Sequence, residues 1–63
     1  MANSPILKYF TYEHLPSNLQ KVSKPFCDLA VELEASLPDS AELSVALRKL
    51  LESKDAAVRA ALG

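Results

Sequence analysis

The sequence predicts an all-α fold: an antiparallel helical hairpin with an extended N-terminal arm, assembling as a homo-oligomer. Three observations predict it. Leu37-Pro38-Asp39-Ser40 divides two stretches of helical periodicity, with a proline to stop one helix and capping residues to start the next. Within each stretch the apolar residues recur every three or four positions, the repeat of a helix with one buried face. The chain has only 63 residues, 49% of them hydrophobic, and a domain of that size buries only about 60% of the surface its unfolded chain exposes. Disulfides, a metal or oligomerisation usually make up the shortfall. One cysteine and one histidine rule out an internal disulfide and make a poor metal set, so self-association is expected. Two helices touch along a single line, and apolar residues off that line need another partner. The expected organisation is one domain over residues 1–63: an arm at 1–15, a first helical segment at 16–37 and a second helix at 40–62.

The start of the chain, Met1 to Pro5, is polar and expected to fray. Ile6 to Tyr12 follows and carries Tyr9, Phe10 and Tyr12, three of the four aromatics. A lone strand here leaves its backbone groups unpaired, so the run is read as an extended arm laid against helices, its own or a neighbour's. Glu13-His14-Leu15-Pro16 ends it. Pro16 suits the first turn of a helix, where its missing N–H costs nothing. Leu19, Val22, Phe26, Leu29, Leu33 and Leu37 then form one stripe, broadened by Ala30. Pro25 interrupts it at a cost of about 3 kcal/mol in a helix interior. Two readings stand: a kinked helix, or a split one in which Ser23 caps a second segment with Pro25 in its first turn.

After the turn, Asp39 and Glu42 have capping-box spacing with an acidic cap, and Ser40 is the alternative cap. Leu43, Leu47, Leu50, Leu51, Val58 and Leu62 carry the second stripe, with alanines between them that favour helix and permit close approach. A link of only two or three residues forces the helices to lie side by side and antiparallel. Arg48–Glu52 and Asp55–Arg59 are opposite charges four apart, expected to pair on a solvated face.

Charge and composition exclude several function classes. A net charge of −1 and a pI near 5.7 do not supply the phosphate-neutralising surface of a long nucleic-acid binder. No apolar run approaches the roughly 18 residues of a membrane span, and the N-terminus lacks a signal-peptide pattern. The expected setting is the cytoplasm, with Cys27 a reduced, inert thiol. His14 and Cys27 fit neither a metal knuckle nor a nucleophile signature. The only glycine is the last residue, so no phosphate loop exists. No enzyme, metal or cofactor is expected, and a single hairpin is expected to offer no pocket of its own.

The aromatic arm carries the functional signal. An exposed aromatic stacks on a nucleobase and basic residues pair with phosphate. Tyr12 with Lys21, Lys24, Arg48, Lys49 or Arg59 from another subunit supplies both; the plain structural alternative is that the aromatics cover the helix pair. The candidate ligand-binding residues are Tyr12, His14, Lys24, Arg48 and Arg59.

The segments Phe10-Thr11-Tyr12-Glu13-His14-Leu15-Pro16, Leu29-Ala30, Leu37-Pro38-Asp39-Ser40-Ala41-Glu42, Ser44, Ala46-Leu47 and Lys49-Leu50 together resemble the phage anti-CBASS cyclic-oligonucleotide sponges and the hairpin domain they share with the anti-Thoeris sponge. The resemblance spans most of residues 10–62. It implies a helical hairpin assembled into hexamers without catalysis, holding cyclic dinucleotides between subunits and, in related members, cyclic trinucleotides near the three-fold axis. Bacterial effectors are thereby starved of their signal in the host cytoplasm. On this resemblance Tyr12 looks like the base-stacking residue, and Lys24 lies near the phosphate-contacting positions, whose nearest matches include Ser23 and Cys27. Ser40 and Glu42 match the turn and cap. The chain departs from the family at its end, where Lys54-Asp55-Ala56-Ala57-Val58-Arg59-Ala60-Ala61 replaces a tryptophan- and Asn-Ala-rich helix. The alternative expectation is a small structural or regulatory adaptor that docks on a protein without a nucleotide.

Overall fold

The computed structural model describes residues 5–63, and the polar start expected to fray lies outside them, save Pro5. Two long helices carry the chain, α1 (Ser17–Ser36) and α2 (Ala41–Leu62), preceded by a short 3₁₀ helix at Pro5–Phe10. No strand occurs among the described residues. At 1.5 Å per residue the helices are about 30 and 33 Å long. The molecule measures 35 × 18 × 16 Å, so they lie alongside each other, and the chain reverses through the four residues Leu37 to Ser40. The hairpin expected from the turn is formed.

The turn works through ordinary stop and start chemistry. The residue before a proline avoids helical geometry, and Leu37, before Pro38, is extended at φ −106° and ψ 148°. Its amide still donates to the Leu33 carbonyl at 3.0 Å, closing α1. Ser40 caps α2, its Oγ accepting from the Leu43 amide at 3.2 Å. Asp39 is therefore not the cap. With Ser40 in that position the box partner would be Leu43, and Glu42 serves instead as an acidic first-turn residue facing the positive end of the helix.

At the start of α1 the structure corrects two expectations. Pro16 stands one position before the helix, not within its first turn, and its carbonyl accepts from the Leu19 and Gln20 amides, each at 2.9 Å. The split at Pro25 does not form: α1 runs continuously from Ser17 to Ser36 with Pro25 inside, and Ser23 is a buried helix residue instead of a cap. Pro25 and Lys21 both face solvent, so the Lys21 carbonyl that loses its donor is open to water.

The arm also differs from the extended segment expected. Pro5 to Phe10 coils into a 3₁₀ helix, in which residues three apart eclipse each other. Leu7 and Phe10 thus share the row that turns inward. Phe10 is fully buried and joins Ala30, Leu43 and Leu47 in the core, with Ile6, Leu7, Phe26, Cys27, Leu33, Leu50 and Leu51 packed around them. The 3₁₀ helix caps the seam between α1 and α2 as a third short layer. Gln20 fastens the following loop, donating from Nε2 to the Leu15 carbonyl at 2.7 Å and to that of Glu13 at 3.3 Å.

Candidate functional site

The same period of three that buries Phe10 turns Lys8, Tyr9 and Thr11 outward. Lys8 and Thr11 form one row, tied by the Thr11 hydroxyl donating to the Lys8 carbonyl at 3.1 Å. Ile6 and Tyr9 form the other. Tyr9 is 55% exposed, and the Lys8 ammonium stands over its ring, 5.2 Å from the centroid, within cation–π range.

Against these rows the outer flank of α2 forms two adjoining open grooves. The first, about 390 Å³, lies between Lys8, Tyr9, Thr11, His14 and Leu15 on one side and Lys54, Asp55, Val58 and Arg59 on the other. The second, about 400 Å³, is bounded by Pro5, Ile6, Lys8 and Tyr9 and by Arg48, Leu51, Glu52 and Asp55. Both reach the lower range of small-molecule sites, roughly 300–1,000 Å³. This corrects the expectation that one chain forms no concavity: the 3₁₀ helix, read from sequence as an extended covering, is thick enough to make a wall.

Of the sequence-predicted residues, His14 and Arg59 meet in the first groove, and Arg48 lines the second. Tyr12 and Lys24 line neither. Lys24 is held by Asp28 at 2.7 Å, and that hydrogen bond, with the Asp28 charge, raises its pKa; Tyr12 lies close enough to add to the effect. Tyr12, in the loop before α1, and Lys24, within α1, thus lie near each other and outside both grooves. Sequence reasoning passed over Lys8, Tyr9 and Lys54. The signal for the first two was a spacing of three, Ile6–Tyr9 and Lys8–Thr11, which becomes meaningful only once the arm is helical.

The ion pairs differ from those expected from four-residue spacing. Glu52 pairs with Lys49 at 3.8 Å and Asp55 with Lys54 at 3.3 Å. Among the described residues neither Arg48 nor Arg59 takes part in an ion pair. Both guanidiniums therefore reach the grooves uncommitted. Burial pushes the half-buried Cys27 thiol up, with Asp28 and Glu13 adding to it and Lys24 opposing. A raised thiol pKa keeps the sulfur protonated and unreactive near neutrality.

Among the described residues no group of three metal-ligating side chains exists, and no helix is long and apolar enough to cross a membrane. No family model, curated protein or solved structure matches the chain.

Proposed function

We propose that this chain binds and sequesters cyclic di- or trinucleotide signals without transforming them, acting as a homo-oligomer of phage origin that blocks bacterial anti-phage signalling. The observation that carries this reading is the convergence of His14, Lys54 and Arg59 on one groove beside the exposed Tyr9 ring. Lys54 and Arg59 next to an accessible aromatic supply the two elements that nucleotide binding draws on, a cation for phosphate and a ring for the base. The short segments shared with the sponge family point to the same ligand class.

Self-association is part of the proposal, and the pattern of exposure supports it. Gln20 on α1 and Leu51, Asp55 and Val58 on α2 face the arm. Several large apolar side chains stay in solvent: Leu29, Val31, Leu37 and Val45 are 43%, 53%, 44% and 48% exposed. On α1, Leu29 offers an apolar face that the described chain leaves 43% exposed. The same apolar face is what favours the second reading, an adaptor that docks on a protein.

Calorimetry with a panel of cyclic di- and trinucleotides tests the function. Binding by at least one of them, with the ligand recovered chemically intact after the complex is heated, is the expected result. Absence of heat and of any thermal shift across the panel sinks the reading, and a partner protein recovered with no nucleotide supports the adaptor.

A further inference from the structure

The two grooves share the Tyr9 ring but differ in charge. In the first, Lys8, Lys54, Arg59 and His14 face a single carboxylate, Asp55, which Lys54 already holds. In the second, Lys8 and Arg48 are matched by Glu52 and Asp55, and Ile6 and Leu51 supply apolar surface. The pair is thus cationic at one end and charge-balanced and apolar at the other, with an aromatic ring between. The Lys54 side chain is only 13% exposed, so its stem is held by packing and loses less freedom on meeting an anion than an exposed lysine does.

The geometry points to a complete site within one chain for a single nucleoside monophosphate unit, its phosphate against Lys54 and Arg59 and its base stacked on Tyr9 toward Ile6 and Leu51. Tyr9 is 55% exposed, so ring surface stays open beside the Lys8 ammonium that stands 5.2 Å from its centroid. Arg59, in no ion pair, meets a phosphate as a planar fork without first giving up a carboxylate. Glu52 lines the second groove and not the first, which makes the second the poorer place for a phosphate. This rests on the nucleotide reading above, but it places stacking on Tyr9 instead of Tyr12 and binding within a subunit instead of between subunits.

Amide NMR titration of the full chain with 5′-GMP and 5′-AMP tests it. Saturable shifts centred on residues 8, 9, 54, 58 and 59 are expected. Guanosine, adenosine and inorganic phosphate alone should each bind about tenfold or more weakly, and Tyr9→Leu should weaken the mononucleotide about tenfold, the loss of one stacked base. Arg59→Gln, on an exposed position of α2, should weaken it similarly, whereas Tyr12→Leu, outside both grooves, should leave it unchanged. Absence of saturable shifts with both mononucleotides, shifts centred on Tyr12 and Lys24, or indifference to both Tyr9→Leu and Arg59→Gln overturns the site. Cyclic ligands that bind a Tyr9→Leu chain undiminished overturn this site and leave sequestration standing. Mononucleotide held at Tyr9 with no affinity for any cyclic ligand supports the site and removes sequestration.

Discussion

Ser23 and Ser40 carry the same hydroxyl into opposite surroundings. Ser40 sits before α2, where its oxygen accepts the Leu43 amide that the first turn would otherwise leave without a partner. Ser23 is fully buried in α1, and its Oγ has no hydrogen-bond partner. Removing a serine cap costs about 1 kcal/mol. Removing a buried hydroxyl that bonds to nothing relieves a penalty of about 1–3 kcal/mol, and alanine is also the better helix former. Ser40→Ala should therefore lower the urea midpoint and Ser23→Ala should raise it. A destabilised Ser23→Ala chain would mean the hydroxyl is satisfied in solution. Ser40 was legible in sequence as one of two caps, because serine three before an apolar run has few other uses. The burial of Ser23 was hidden, since its neighbour Pro25 made a helix start there equally plausible.

At the scale of elements, the periodicity predicted both helices, while Pro25 left a kinked and a split first helix open, and the split does not form. Propensity sets a price on Pro25 but cannot say whether packing outweighs it. Here Leu19 and Ala30, buried on either side of Pro25, hold one continuous helix against the rest of the hairpin. The arm was misread for a related reason. Read as extended, Phe10 and Tyr12 share a side; coiled with three residues per turn, Phe10 joins Leu7 inward and Tyr9 turns out, so Tyr9 and not Tyr12 lines the grooves. Short segments carry too few residues to distinguish a period of two from a period of three. Continuity of α1 makes a definite expectation. Proline costs about 3 kcal/mol relative to alanine in a helix interior, partly offset by about 0.4–1 kcal/mol because it also restricts the unfolded chain. Pro25→Ala restores a donor for the Lys21 carbonyl and should stabilise the protein by about 2 kcal/mol. A domain near this size gains roughly 4–8 °C in Tm per kcal/mol, so thermal unfolding followed by circular dichroism reads the change easily. A loss of stability would show that packing around α1 depends on the proline.

The whole molecule has a core of five buried apolar residues among those described, Phe10, Leu19, Ala30, Leu43 and Leu47. The short arm covers one side of the hairpin. Among the described residues Leu29, Val31 and Val45 stay 43%, 53% and 48% exposed, apolar surface that another chain can cover. A copy of the same hairpin is the simplest cover, because a face that pairs with itself through a two-fold axis closes into a finite assembly. Leu29, Val31 and Val45 line neither groove, so association through them leaves Tyr9 and Arg59 open to ligand. The sedimentation mass at micromolar concentration should accordingly exceed the 6.9 kDa of one chain. Leu29→Lys places a charge on that surface without entering the core, and burying it unpaired costs several kcal/mol. The variant should sediment at or near the monomer mass while keeping its mononucleotide affinity, because the groove belongs to one chain. A wild-type monomer would remove the need for a partner, and an assembly that persists through Leu29→Lys would place its interface elsewhere on the hairpin.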